Sequence, residues 1–176
     1  MPHQSIAVLL AGKDRRSIGR SNEVVKLVFR EPRRFPELIK CLWHDNPLVR
    51  MRAADAAEKV TSVKPTMLRP FKVELLGLLA EAEQIELRWH LALMVSRLLL
   101  TGEERQRAAA TLQRYLEDRS SIVRTFALQG LADLARSDEK LRAPVREILE
   151  EGARTGTAAM KARARKLLRE LLLTRA

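Results

Sequence analysis

One apolar pattern occurs four times along this chain, each time around a basic residue. The basic positions are Arg50, Arg88, Arg124 and Lys161, so successive intervals are 38, 36 and 37 residues. In all four segments, the residues one position before and three, seven and ten positions after the basic residue are apolar. Because these spacings return to one side of an α-helix, the pattern predicts four amphipathic helices of similar design.

A further helix is predicted before each of these four. The first of them has its apolar residues at helical spacing, as Phe35, Leu38 and Leu42 show. Thr101 with Glu104 predicts a capping box, and Asn46 before Pro47 predicts a helix start. No segment alternates apolar and polar residues over the length of a strand, so we expect an all-α protein made of helical hairpins.

This periodicity also sets the predicted domain organisation. Helical hairpins that repeat at this period stack side by side into a solenoid. We therefore expect one domain over residues 1–176, opened by a degenerate unit with two short helices at about 4–12 and 21–30. The predicted hairpins span residues 32–64, 65–100, 101–136 and 137–176.

The turns before two of the helices carry a motif. Between Leu116 and Ala127 the chain places Asp118 and a Val-Arg pair that ends at Arg124, in an order that resembles the HEAT-repeat signature. The stretch from Leu42 to Ala54 is similar to it, whereas the second hairpin has a glutamate for the aspartate. The fourth hairpin lacks the acidic residue. The resemblance covers about residues 32–173 and implies a right-handed α-α superhelix.

The HEAT resemblance also implies two sets of residue roles. In such proteins the aspartate and arginine of neighbouring repeats form a buried hydrogen-bonded ladder, and the second helix of each hairpin faces the concave, ligand-binding side. The ladder residues would be Asp45, Arg50, Arg88, Asp118 and Arg124. Positions opposite the apolar stripe would then bind a partner, and these are Arg52, Asp55, Lys59, His90, Arg97, Phe126, Gln129, Asp133, Arg163 and Lys166.

The mixed polarity of these positions opposite the apolar stripe favours a protein or peptide partner. Their charges are of both signs, and Leu93 and Phe126 interrupt them. A non-specific phosphate binder needs a continuous positive stripe, because its affinity grows with the number of phosphates neutralised. Arg97 and Phe126 are instead typical anchors of a protein interface. A non-catalytic scaffold or adaptor that works as a monomer is therefore the leading interpretation.

Net charge leaves a second interpretation open. The chain carries +11, and the excess lies at its ends: nine basic and four acidic residues give +5 over 1–40, and seven basic and one acidic give +6 over 153–176. Basic clusters of this kind suit nucleic acid or an acidic protein, although a solvated surface and a polar cap on the last repeat explain them as well. The candidate residues are Arg15, Arg16, Arg20, Lys161, Arg163, Arg165 and Arg169.

Chemistry-bearing motifs are scarce. His3, His44 and His90 have no metal-ligand spacing, and the seven glycines build no phosphate-binding loop, so we expect no metal, cofactor or catalytic residue. The lone Cys41 sits among apolar residues and is expected to be a buried, inert thiol. One enzyme alternative stays open. Some HEAT-like proteins are alkylpurine DNA glycosylases, and Trp89 with Asp55 or Asp133 resembles their site, although packing between hairpins is the simpler role for Trp89.

The sequence gives no sign of a membrane or export segment. The apolar run from Ile6 to Ala11 is short and precedes its basic cluster, which is the reverse of the order in a signal peptide. Other apolar runs are far below the length that spans a bilayer. We therefore expect a soluble cytoplasmic protein.

Overall fold

The computed structural model describes residues 4–14 and 17–173 of the chain. Within these ranges the regular structure consists of α-helices and short 3-10 helices, with no β-strand. The all-α prediction is therefore confirmed. His3, Arg15 and Arg16 lie outside the described residues.

The chain divides into two compact units, Met1–Pro70 and Phe71–Ala176. The division falls inside the hairpin predicted over residues 65–100, where the 3-10 helix Pro65–Phe71 replaces the expected start of an α-helix. Pro65 and Pro70 account for this, because proline has no N–H to donate and disfavours the α conformation in the residue before it. The bounds predicted for a single repeat domain stay a prediction.

Four α-helices lie in the part of the first unit that the structure describes. Helix α4 begins at a capped turn, in which the Asn46 side chain accepts a hydrogen bond from the Leu48 N–H at 2.9 Å. Glu37 ties two other helices together, because its Oε1 accepts from the Ile6 N–H at 2.6 Å. The helices are α1 (Ile6–Leu10), α2 (Ser21–Arg30), α3 (Phe35–Lys40) and α4 (Pro47–Val63), and α4 packs against α1, α2 and α3.

Within residues 71–173, the second unit forms six α-helices. The capping box predicted at its third helix is present, with the Thr101 N–H 2.8 Å from Glu104 Oε2 and the Glu104 N–H 3.2 Å from Thr101 Oγ1. The helices are α5 (Lys72–Glu81), α6 (Ile85–Met94), α7 (Gly102–Tyr115), α8 (Ser121–Arg136), α9 (Glu139–Thr155) and α10 (Ala158–Leu173). Helix α8 contacts α6, α7, α9 and α10 and is the centre of this unit.

The repeated apolar stripe forms the core of both units. Its positions on α4, on α6 with the 3-10 helix that follows, and on α8 are all buried. On α10 Met160 and Ala164 are buried, whereas Leu168 and Leu171 are half-buried. The period of the stripe thus predicted which side of each helix packs inward.

Close packing in the second unit depends on one glycine. A Cβ atom at Gly130 on α8 would collide with the backbone oxygen of Ala92 on α6 and would lie 2.8 Å from Leu112 Cδ1. A Cβ atom at Gly77 on α5 would meet nothing within 4 Å. The two helical glycines therefore differ in the space around them, while both lower intrinsic helix propensity.

We expect Gly130→Ala and Gly77→Ala to change stability in opposite directions. The first should destabilise the protein by about 1–3 kcal/mol, because the backbone of α6 must shift. The second should stabilise it by about 0.5–1 kcal/mol through helix propensity. Urea unfolding followed by circular dichroism measures both, and a stabilising Gly130→Ala would contradict the close contact.

Candidate partner-binding surface

Arg52 was predicted to face outward, and this is wrong: only 3% of it is exposed. Its guanidinium donates to four backbone carbonyls of the segment that joins α1 to α2. The nitrogen–oxygen distances are 2.9 Å to Leu10, 3.0 Å to Ala11, 2.9 Å to Asp14 and 3.1 Å to Ser17. These carbonyls need donors because two of them lie at the end of α1, where intrahelical partners run out. Arg52 therefore anchors this segment onto α4.

Asp55 and Lys59 also form contacts within the first unit. Asp55 Oδ2 accepts from Ser21 Oγ at 2.5 Å and from Lys59 Nζ at 2.7 Å. Lys59 Nζ donates in addition to Asn22 Oδ1 at 2.9 Å. Because Ser21 and Asn22 open α2, these side chains join the start of α2 to α4. Their hydrogen-bonding groups are directed to each other and to α2, although Lys59 keeps part of its surface exposed.

His90 was also predicted to face outward, and this is wrong, since only 2% of it is exposed. Its Nδ1 lies 2.6 Å from the Glu86 carbonyl oxygen one turn earlier on α6. Helix α8 packs closely against α6, and the Trp89 ring stacks on the His90 ring with centroids 3.3 Å apart. A histidine at an apparently polar helix position is therefore enclosed.

The other predicted residues of the second unit come together on one surface. The rings of Trp89 on α6 and Phe126 on α8 stack with centroids 5.2 Å apart. The guanidinium of Arg163 on α10 lies 5.3 Å from the Phe126 centroid and donates to Gln129 Oε1 at 2.7 Å. We call Trp89, Phe126 and Arg163 the aromatic–arginine row. It crosses three helices and is half-buried along its length.

Polar side chains continue from this row along α8 and α10. Gln129 Nε2 donates to Asp133 Oδ1 at 3.0 Å, and Asp133 forms an ion pair with Arg136 at 3.2 Å. Arg136 in turn contacts Glu170 at 2.6 Å, and Lys166 lies 3.8 Å from the same carboxylate. The aromatic–arginine row, these five residues and Arg97 make up what we call the α6–α8–α10 surface.

Asp133 is the most perturbed carboxylate of this surface. Burial raises its pKa, and the nearby Arg136, Gln129 and Arg97 offset only part of that rise, so the pKa stays above its ordinary value. Four basic side chains, Arg97, Arg136, Arg163 and Lys166, accompany two acidic ones, Asp133 and Glu170. The surface therefore combines a modest positive excess with accessible aromatic area.

Arg136 was missed in the sequence, and Trp89 was assigned to packing. Arg136 lies three residues beyond Asp133 on α8, so extending the outward positions by one more turn would have found it. Trp89 is next to the repeated basic position, and only the stacking on Phe126 shows that its ring belongs to this surface.

The residues assigned to a ladder between hairpins fall into three groups. Arg88 on α6 contacts Asp118, in the turn before α8, with 2.5 Å between Nη1 and Oδ2. Arg50 donates to the carbonyls of His44 and Asp45 in its own turn, at 2.8 and 3.1 Å, and the Asp45 side chain is exposed. The Arg124 side chain makes no hydrogen bond or ion pair with any described residue, and its Nε is buried.

Opposing effects set the pKa of Asp118. Burial raises it, but hydrogen bonds from the Ser120 backbone N–H and from Arg88 outweigh burial, so the pKa lies below its ordinary value. The side chain of Asp118 is only 3% exposed, whereas that of Arg88 is 30% exposed. This pair therefore favours the ionised carboxylate in the folded protein.

The basic residues predicted for acidic partners differ in their surroundings. Arg20 is paired with Glu23 at 2.9 Å, with both side chains exposed. On α10, Lys161, Arg165 and Arg169 follow one another at four-residue spacing, and their side chains form no hydrogen bond or ion pair with a described residue. Arg165 and Arg169 are exposed and Lys161 is half-buried, so this basic stripe of α10 carries uncompensated charge.

The remaining chemistry is limited. Cys41 is buried, as predicted, and burial together with Glu37 raises the pKa of its thiol to about 11. The described residues contain no group of three or more histidine, cysteine or acidic side chains arranged to hold a metal. Trp43 is 47% exposed. In residues 4–14 and 17–173, no helix has the length and apolar content that crossing a bilayer requires.

Comparison of this chain with protein-family models, curated proteins and solved structures found no match. The HEAT resemblance therefore rests on the residues of the chain itself.

We expect Arg52→Gln to destabilise the protein by about 3 kcal/mol or more. The substitution leaves the backbone carbonyls of Leu10, Ala11, Asp14 and Ser17 without their charged donor at a largely buried site. Arg33→Gln is the control: the Arg33 side chain is 81% exposed and lies 3.8 Å from Glu31. Its loss should change stability by less than about 0.5 kcal/mol. Thermal unfolding measures both, and equal midpoints would contradict an anchoring role for Arg52.

We expect Asp118→Asn to lower stability by about 1–2 kcal/mol at neutral pH, since it removes a charge-assisted bond to a partly exposed arginine. The pKa of Asp118 is lowered by folding, so its contribution is present above its ordinary pKa and is lost as the pH falls through the folded value. The two proteins should therefore converge in strong acid. Asp45→Asn, in an exposed turn, is the control and should change stability at neutral pH by less than about 0.5 kcal/mol.

Proposed function

We propose that this protein is a non-catalytic adaptor that binds a protein or peptide partner on the α6–α8–α10 surface. The observation that carries the proposal is the aromatic–arginine row, in which two stacked rings and a guanidinium cross three helices without being enclosed. Aromatic residues and arginine are enriched at protein interfaces and supply most of their binding energy. A partner would cover the rings and gain contacts to Arg163.

The proposal includes a HEAT-like superhelix of about four hairpins. Three features support it: the apolar stripe repeats in four helices, α8 packs against both α6 and α10, and Arg88 meets Asp118 across successive hairpins. In such a superhelix the second helices line the concave side. The α6–α8–α10 surface would then be concave, which suits an extended peptide.

The charge of this surface indicates the partner's chemistry. Four basic and two acidic side chains leave an excess of positive charge, and the aromatic–arginine row offers apolar area beside it. A segment with an apolar anchor next to acidic residues would match both features. Binding through these side chains needs no cofactor, and we propose a cytoplasmic monomer on the sequence features alone.

The test is charge reversal on the α6–α8–α10 surface. A partner is first identified by crosslinking and mass spectrometry, and its Kd is then measured for each variant. We expect Arg97→Glu with Arg163→Glu to weaken binding at least tenfold, because the double variant removes both the positive charge and the cation–π interaction.

Arg107→Glu is the matched control, since Arg107 is an exposed arginine of α7 outside this surface. It should leave Kd unchanged. A partner that binds the double variant as tightly as the wild type would contradict the proposed surface.

A second candidate function is nucleic-acid binding through the basic stripe of α10. It is favoured by one observation, that Lys161, Arg165 and Arg169 form no ion pair with a described residue. We expect affinity for short duplex DNA or RNA to fall steeply with salt. Replacing Arg165 and Arg169 by glutamine should reduce the salt slope by about one for each phosphate that is no longer neutralised. Absent or salt-independent binding would remove this candidate.

A further inference from the structure

A groove of about 460 Å³ lies in the second unit between the end of α9 and the start of α8 and α10. Its apolar lining includes Leu116, Leu128, Ile148 and Met160, and the side chain of Arg124 lies among them. The volume is within the range of small-molecule sites, about 300–1,000 Å³. The groove does not include any residue of the α6–α8–α10 surface.

In the preceding hairpin, the site around Arg88 corresponds in the repeat to the groove around Arg124. Arg124 lies 36 residues after Arg88, and the residues 37 positions after Tyr115 and Asp118 are Gly152 and Thr155. The repeat thus aligns the groove with the site around Arg88. Gly152 replaces an aromatic residue, and Thr155 replaces a carboxylate.

At the Arg88 site, an aromatic ring and a carboxylate of the chain both contact the guanidinium. The Arg88 guanidinium lies 5.4 Å from the centroid of the Tyr115 ring and 2.5 Å from Asp118 Oδ2. The Tyr115 hydroxyl reaches further inward and donates to the Leu79 carbonyl at 2.5 Å. A phenol ring next to a carboxylate therefore fills this site from within the chain.

In the last hairpin neither group is supplied by the chain. The Thr155 hydroxyl donates to the Glu151 carbonyl at 3.0 Å, within its own helix. The Arg124 side chain makes no hydrogen bond or ion pair with a described residue, although its Nε is buried. Because the Arg124 side chain lines the groove and has no acceptor among the described residues, an anion in the groove can pair with its guanidinium without displacing an existing contact.

We propose that this groove binds a small aromatic carboxylate. Its ring takes the place that Tyr115 has in the preceding hairpin, and its carboxylate pairs with Arg124 as Asp118 pairs with Arg88. A hydroxyl on the far side of the ring would point towards Leu116, which lies 37 residues after Leu79.

The rim of the groove restricts the charge of the ligand. Glu151 already bonds to Arg154 and Thr155, and these contacts hold the pKa of its carboxyl below the ordinary value. Glu147 is exposed at the rim. Because Glu151 is already paired with Arg154, the carboxylate of Glu147 remains beside Arg124 and disfavours a polyanion such as phosphate, whereas a single ligand carboxylate can still pair with Arg124.

The experiment is a titration of the full chain, followed by amide NMR, with three probes. They are para-hydroxyphenylacetate, tyramine, which carries an ammonium group in place of the carboxylate, and acetate, which lacks the ring. We expect the aromatic acid to bind with a Kd in the millimolar range or tighter and to shift the amides of Leu128, Gly152 and Met160. Tyramine and acetate should bind at least tenfold more weakly. Equal binding by tyramine, or shifts elsewhere only, would overturn the proposal.

Variants of the protein test the contributions of the ligand's carboxylate and of its ring separately. Arg124→Gln should weaken the aromatic acid at least tenfold, and Arg107→Gln, away from the groove, should not. Gly152→Tyr with Thr155→Asp rebuilds the Arg88 site, so it should abolish binding and raise the melting temperature. A Cβ at Gly152 lies 3.3 Å from Leu128 Cδ1, the end of a flexible side chain that can move. Undiminished binding by this double variant would place the ligand elsewhere.

A fourth probe tests whether the groove binds a peptide segment rather than a free small molecule. The acetylated tetrapeptide Tyr-Leu-Glu-Asp copies residues 115–118 and carries the ring and the carboxylate on one chain. We expect it to bind more weakly than para-hydroxyphenylacetate, because the groove suits a single small molecule. Binding of the peptide without binding of the small acid would overturn the assignment to a small molecule.

Discussion

The apolar stripe of each second helix has to be covered by other helices, and the rest of the structure depends on this constraint. A single hairpin cannot bury such a stripe alone, so α8 packs against α6, α7, α9 and α10. The approach of α8 to α6 is so close that Gly130 has no room for a side chain. Once the stripe is covered, the side of α6, α8 and α10 that carries Trp89, Phe126 and Arg163 is left to form a surface.

Arginine has three different roles in this protein, although the residue and its charge are the same. Arg52 is buried and holds four backbone carbonyls, Arg88 shares an ion pair with Asp118, and Arg163 lies across the Phe126 ring. The planar guanidinium makes all three possible, because it donates in several directions and stacks on an aromatic face. Net charge therefore says little about where an acidic partner would bind, since several arginines are already engaged.

The sequence predicted the helices, their inward sides and some of their ends well. The stripe residues of α4, α6 and α8 are buried, and the capping box of Thr101 and Glu104 is formed. The prediction that Arg52 and His90 face outward was wrong, because helical periodicity describes a single helix and not the groups that pack over it. The repeat pattern assigned Arg124 the role of Arg88, although the acceptor that Asp118 provides in one turn is absent where Thr155 stands in the next. Part of the candidate surface was predicted, but its stacked rings were not.

By itself, the sequence determined the helical class and the inward side of each repeated helix, because a 3.6-residue period and an apolar stripe fix which residues leave water. Tertiary structure alone decided which outward side chains meet. Trp89, Phe126 and Arg163 are far apart in the chain and become neighbours only when α6, α8 and α10 pack together. The same holds for Arg52, whose acceptors lie on a segment distant in sequence. Contacts between distant segments depend on how helices pack, which the period of a single helix does not contain.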